Sequence, residues 1–437
     1  IGYAAMSGAS SGTGYGTAAS NIAIGRDSMA NITDGHGNVA IGYSAMYDTT
    51  EAEESVAIGG YAAGDITTGK WNTAVGYTAL RSGTTTNRNT ALGYAAMKSY
   101  TETGDGYNVA VGMYAMQQHQ SGKSNVAIGY TALRGTTGND ADYNVAVGAQ
   151  ALYSTTSGDN NVGVGRNALF ANTEGEENTA LGTQAGESVT TGDDNVFVGF
   201  EAGSGITTGQ DNAIVGSQAG SQMSAGDSNN AFFGERAGFN NAGGNYNTFI
   251  GRRAGYNVTS GDNNVFIGNG AGPNSTSTAS NKLYIHNDEG TPLIEGDFSS
   301  GGSLTFNTSG NAPNSFIVKG NQSSGADGIT IDNWEPRLRL INRRGTDETW
   351  VMAADNSTSS LQIKKDSQLV KAIFSSSDGG GVTFGIAAEA ATSGVAIAQG
   401  ASYSLDNTTV NRIYRTSNDV SYMSNELHYF NNPVKVN

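Results

Sequence analysis

Cysteine is absent from the 437 residues, which removes disulfides, thiolate zinc sites and cysteine nucleophiles together. Proline occurs only 5 times, and charged residues make up 14% of the chain. Basic residues are the scarcer sign, with 23 Lys and Arg against 39 Asp and Glu and a net charge of −16. Nucleic-acid binding needs clustered Lys and Arg against phosphate, so no nucleic acid is expected as a partner. An anionic lipid surface is disfavoured for the same reason. No run of about 18 apolar residues occurs, so no membrane insertion by a helix is expected. Apolar content is low at 37%, but disordered chains are usually charge-rich and aperiodic.

This chain is periodic. Residues 72–97 read NTAVGYTALRSGTTTNRNTALGYAAM, in which Asn72 to Gly76 returns seventeen residues later as Asn89 to Gly93, each followed by a tyrosine. The glycine closing each unit recurs at Gly25, Gly42, Gly59, Gly76, Gly93, Gly112, Gly129, Gly148, Gly165, Gly182, Gly199, Gly216, Gly234, Gly251 and Gly268. Eleven of the fourteen spacings are 17, and the others are 19, 19 and 18. Asn stands four residues before the glycine in fourteen of fifteen units, Ser55 being the exception, and Ala stands three after it in fourteen, Ser28 being the exception. A period of this size signals a solenoid rather than independent domains.

Within NVAIG (125–129), Val126 and Ile128 share one face and Ala127 takes the other, which is a strand pattern. The glycine is expected where the backbone turns or another backbone approaches closely. Tracts such as TSGDN (156–160) and TTGDD (190–194) are turn chemistry. The fold expected is therefore all-β, a parallel β-solenoid (β-roll) of 17-residue coils, with one good strand and a shorter second one around ALxST. Coils about 4.8 Å apart would make a rod of roughly 70–75 Å. Asn72, Asn89, Asn108, Asn125, Asn144, Asn161, Asn178 and Asn195 are expected to form a ladder bonding coil to coil. Gly76, Gly93, Gly112, Gly129, Gly148, Gly165, Gly182 and Gly199 are expected as the turn glycines.

Such a coil is thin. Two aliphatics and an alanine per turn bury too little to offset ordering seventeen residues, so the repeated alanine face is expected to pack on identical chains. A homotrimer is the expected closed solution. The residue after the conserved alanine is mostly Met or Leu up to Leu169 and Gly from Gly186 to Gly272, while phenylalanines enter the later strands. That change reads as repacking within one solenoid.

These units resemble the head repeats of trimeric autotransporter adhesins, whose "NSVAIG"-type motif builds a left-handed parallel β-roll trimer. They are still more similar to the repeat arrays of bacteriophage, particularly cyanophage, tail fibres. NKLYIHNDEGTPLIEGDF (281–298) resembles the segment ending such arrays, and GITIDNWEPRLRLINRRGTDETWVMAADNSTSSLQI (328–363) resembles β-rich modules downstream of them. The resemblance implies a virion fibre outside the cell, a homotrimer joined to other virion tail proteins, and a distal tip contacting a host-surface glycan or protein. In that family a C-terminal chaperone often follows and cleaves itself away; separately, Ile1 to Met6 reads as a repeat unit missing its opening residues, so an upstream continuation is expected.

Three regions are expected: 1–272 as the solenoid, 273–320 as a linker and intertwined β connector with NSTSTAS (274–280) as linker, and 321–437 as a β-rich tip. Trp334, Arg337, Arg339 and Trp350 are the candidate receptor-binding residues, since aromatic and guanidinium groups stack on and hydrogen-bond sugars. Asp347 and Glu348 raise a polysaccharide-degrading spike as an alternative, but neighbours on a strand point to opposite faces, so a hairpin turn is the better reading. A bacterial surface adhesin is the other alternative. GVGRNA (163–168) fits a dinucleotide pattern only because it is the repeat in phase. His36 and His119 are expected in solvated loops, and the acidic loops are read as Asx turns. No catalytic residue, metal or cofactor is expected.

Overall fold

A computed structural model describes residues 2–6, 18–136, 138–273, 276–287, 292–299 and 303–306. Beyond these it gives the backbone of strands between 337 and 423. The chain divides into two units, Ile1–Ser315 and Phe316–Asn437.

The first unit is a parallel β-solenoid of about fifteen turns. Each Asn-x-x-x-Gly unit contributes a three-residue strand, from Ile22–Ile24 to Val265–Ile267. Each strand pairs in parallel with the equivalent strand one coil away, as Val126 with Val145, Ala127 with Ala146 and Ile128 with Val147. The stack continues past Gly272, because Lys282–Ile285 pairs in parallel with Val265–Ile267 before the chain turns back antiparallel through Ile294–Asp297 and Leu304–Phe306. The described part of the Ser/Thr tract is not a free linker. Ser277 and Ser280 accept hydrogen bonds from Thr259 and Asp262 one coil back and so complete the last coil.

Alternation within the strands is as the sequence implies, but the two faces are exchanged relative to the expected packing. The central residue, alanine in most units, faces the solenoid's own interior: Ala40, Ala57, Ala74, Ala91, Ala110 and Ala127 are fully buried. The partners that cover it belong to the same chain. Met46, Leu80, Met97, Met116, Leu133 and Leu152, four residues past each glycine, fill the interior. The alanine face is therefore not an oligomer contact; the flanking residues face outward.

The arm after the glycine is not a second strand. Thr78 and Leu80 have φ of 53° and 47°, in the left-handed region, and equivalent residues do so in coil after coil. The arm is still tied coil to coil, Thr78 N–H donating to Gly60 O and Leu80 N–H to Ala96 O, both at 2.9 Å. These bonds offset conformations that cost a non-glycine residue of order 1 kcal/mol each. The closing glycine meets both expected demands. Gly129 has φ of 140°, and a side-chain carbon on it would stand 2.5 Å from the Gly148 carbonyl oxygen of the next coil.

The interior changes composition midway without losing phase. Up to Leu169 a small strand centre faces a Met or Leu arm, Ala63 being the exception; from Phe197 onward a large strand centre faces a glycine arm. Phe197 lies against Gly186 and Gly203, Phe232 against Gly238, and Phe249 against Gly255, leaving no room for a methyl at any of these glycines. Phe232, Phe249, Phe266 and Tyr284 stack with ring centroids 4.8, 4.9 and 5.0 Å apart, the spacing of the strands themselves.

In the second unit, Arg337–Asn342, Glu348–Asp355, Ser360–Lys365, Gln368–Ser376 and Val382–Gly385 form a five-stranded antiparallel meander. Ser402–Ser404, Arg412–Arg415 and Val420–Met423 form a three-stranded antiparallel sheet.

Candidate functional site

The asparagines lie at one corner of the coil, buried, and bond in two directions. The Asn108 side-chain oxygen accepts from Asn125 N–H at 2.9 Å, and the series continues through Asn144, Asn161, Asn178 and Asn195 at 2.8 to 3.1 Å. Earlier members, Asn72, Asn89 and Asn108, are linked the same way at 3.0 and 3.1 Å. The other end of the amide donates to a carbonyl of the neighbouring coil, as Asn178 Nδ2 to Gly192 O at 2.7 Å. Where serine replaces asparagine the chain of bonds persists, Ser55 Oγ accepting from Asn72 N–H at 3.1 Å. These side chains are saturated by their own fold, which leaves them nothing to offer a ligand.

Of the tip candidates, Trp334 lies outside the described residues, as does Asp347. Arg337 and Arg339 lie on one strand and Glu348 and Trp350 on its antiparallel neighbour, with Arg339 opposite Val351 and Leu340 opposite Trp350. The register sets Glu348 opposite Asn342.

His36 is exposed, but His119 is not. It occupies the interior position held by Ile66 and Tyr100 in other coils and is completely buried. Burial, only partly offset by the polar Ala141 backbone and Asn139 side chain nearby, pushes its pKa down to about 4. The loop reading failed because the site lies seven residues past its glycine, where the chain passes back through the interior. No group of three or more His, Cys, Asp or Glu suited to a metal exists among the described residues.

Two surface features were not singled out in the sequence. The first is the outward strand face. Across the fifteen units, the two residues flanking each strand centre number thirty, and none is charged: twenty-six are apolar and four are Thr. Several are well exposed, including Ile24, Leu92, Ile128, Leu181, Phe233 and Ile250. For a chain of net charge −16, so large an uncharged stripe is the kind of surface that marks an interaction site.

The second is a column of tyrosines one or two residues past the glycine. Tyr43, Tyr61, Tyr77, Tyr94, Tyr114 and Tyr130 follow one another on successive coils, ring centroids 5.1, 6.0, 5.6, 5.4 and 6.4 Å apart. Beside it, five residues past the glycine, run Tyr47, Arg81, Arg134 and Tyr153. Two hollows open between the columns. One, of about 360 Å³, is lined by Tyr114, Gln117, Tyr130, Arg134, Gln150 and Tyr153. The other, of about 350 Å³, is lined by Tyr43, Tyr47, Asp48, Tyr61, Asp65 and Arg81, with Asp27 at its edge. An aromatic count at fixed offsets from the glycine would have found both.

Comparison with known protein families, with curated proteins and with solved structures finds no match.

Proposed function

We propose that this chain is a structural fibre of a virion, a tail-fibre-like appendage that assembles as a homotrimer with other tail proteins. In this reading it serves host-surface attachment through its C-terminal β-rich region, which would meet a glycan or protein receptor. The observation that carries the proposal is the outward strand face, thirty positions without a charge on a stack of some 70 Å. Covering a Val, Ile or Leu side chain contributes about 1.5 kcal/mol or more. A dozen of them would outweigh the roughly 4–15 kcal/mol lost in association. An identical chain fits best, because its own rungs repeat at the same pitch and match along the whole length. Three-fold closure comes from the resemblance to trimeric fibre repeats, and the acidic remainder of the surface would keep finished assemblies apart.

Sedimentation velocity tests this directly. The expected species has close to three times the 44.9 kDa chain mass. Ile128→Lys with Leu181→Lys, both outward and clear of the interior, should return it to the monomer. A wild type that stays monomeric, or a trimer indifferent to both lysines, would remove the basis for the fibre reading.

A further inference from the structure

The hollow between Tyr114, Tyr130 and Tyr153 has the parts of a saccharide site on the flank of the solenoid. It spans three successive coils. Tyr130 is half exposed and Tyr114 and Tyr153 partly so, which puts ring surface and phenol hydroxyls at its walls; pyranoses present matching C–H faces and hydroxyls. Gln117 and Gln150 add two carboxamides that both donate and accept. At about 360 Å³ it lies within the range of small-ligand sites.

Its charge is set by one residue. The Arg134 guanidinium carbon lies 5.4 Å from the Tyr153 ring centre, its Nη1 donates to the Tyr153 hydroxyl, and its Nε donates to Gln117 Oε1 at 3.4 Å. These contacts hold the group in place without neutralising it, and Arg134 forms no ion pair with any described residue. No carboxylate lines this hollow. A fixed guanidinium with donors to spare is suited to a carboxylate. The chain's −16 charge does not cancel this preference, since charges beyond about 8 Å are screened at physiological ionic strength.

The second hollow is its counterpart with the sign reversed. Arg81 lies 5.1 Å from the Tyr61 ring centre, much as Arg134 lies from Tyr153. There, however, Asp65 stands 3.6 Å from Arg81 Nε, and Asp27 and Asp48 also line the site. Even with Arg26 paired to Asp27 at its edge at 3.1 Å, three carboxylates stand against two guanidinium groups, and that hollow disfavours an anion.

We infer that the Tyr114–Tyr130–Arg134–Tyr153 hollow binds a pyranose bearing a carboxylate, a uronic-acid unit of an acidic polysaccharide, and that the Tyr43–Tyr61–Arg81 hollow does not. The site is independent of the fibre reading, because one chain supplies every residue in it.

The test is calorimetric titration of the full chain with a glucuronate-containing disaccharide, its neutral glucose analogue, and acetate. The disaccharide should bind, more weakly as salt rises, with the neutral analogue at least tenfold weaker and acetate giving no heat. Arg134→Gln and Tyr130→Ala should each lose tenfold or more, while Arg81→Gln matches wild type. All three side chains lie outside the core, and unchanged thermal melts would show that the fold is kept. Four outcomes overturn the inference: no binding by wild type, equal binding of the neutral analogue, acetate binding as well as the disaccharide, or an equal loss in Arg81→Gln. Sedimentation and titration read different properties, so the failure of one is distinguishable from the failure of the other.

Discussion

His119 Nε2 lies 3.3 Å from Asn125 Nδ2 inside the solenoid, while His119 Nδ1 meets no partner with hydrogen-bond geometry. The imidazole is thus held neutral in a place that cannot solvate its cation. The folded pKa of about 4 stands below the ordinary 6.5, so on acidification the unfolded chain takes up this proton first. Stability attached to His119 should be complete above pH 6.5, fall between 6.5 and 4, and level off below 4. The full loss is on the order of 3 kcal/mol. Denaturant titrations from pH 7 to pH 4 on wild type and His119→Gln isolate the effect. The difference between the two curves should shrink by that amount, and a constant difference would show that the histidine is not the titrating group.

The asparagine ladder predicts an order of severity. Asn178→Ala removes the acceptor for Asn195 N–H and the donor to Gly192 O, both buried. Two unsatisfied backbone groups should cost about 2–5 kcal/mol. Asn178→Ser should cost less, because Ser55 shows that a hydroxyl there can still accept from the next coil. Equal melting of the alanine and serine variants would mean the ladder bond carries little.

For the closing glycines the backbone leaves no freedom. Gly129→Ala places a methyl at φ of 140° and onto the next coil's carbonyl, which should cost on the order of 3 kcal/mol or more. A melting point within a degree or two of wild type would contradict the packing of successive coils at this point.

The two core solutions should be exchangeable one coil at a time. Leu169 and Phe197 flank the changeover, with Gly186 between them. Phe197→Ala alone opens a cavity costing about 3–5 kcal/mol, and Gly186→Leu alone collides with the Phe197 ring. Combined, they move the changeover along by one coil, from one allowed sequence to another. The double variant should melt above both singles, with a coupling of about 2 kcal/mol or more. Additive losses would mean that the large strand centre and the glycine arm are not complementary.

Much of the solenoid was legible because its period is rigid: Asn, Gly and Ala at fixed offsets give the coil length, the strand and its register. The direction of the strand was not. VAI alternates equally well with either face inward, and the usual preference for burying Val and Ile points the wrong way here. The deciding residues lie outside the strand, in the Met and Leu arm that fills the space against Ala127 and its equivalents. The arm was misread as extended because Thr78 and Leu80 occupy left-handed conformations that residue type alone does not announce. His119 was misplaced for a related reason: its neighbours are loop-like, yet its offset from Gly112 puts it where Ile66 sits in another coil. For Arg337, Arg339 and Trp350 the residue types were legible beforehand, and the structure adds their strand register.

The irregular spacings of 18 and 19 have a consequence for how such a chain can change. Despite two extra residues in each of the coils containing Tyr100 and Asn139, the next asparagine and glycine fall back into step: Thr90 pairs with Val109, and Val126 with Val145. Each coil is thus indexed by its own two marker residues rather than by a count from the start. Duplication or deletion of a whole unit would disturb only its neighbours, so the length of the stack is a quantity selection can adjust by recombination, in steps of about 4.8 Å.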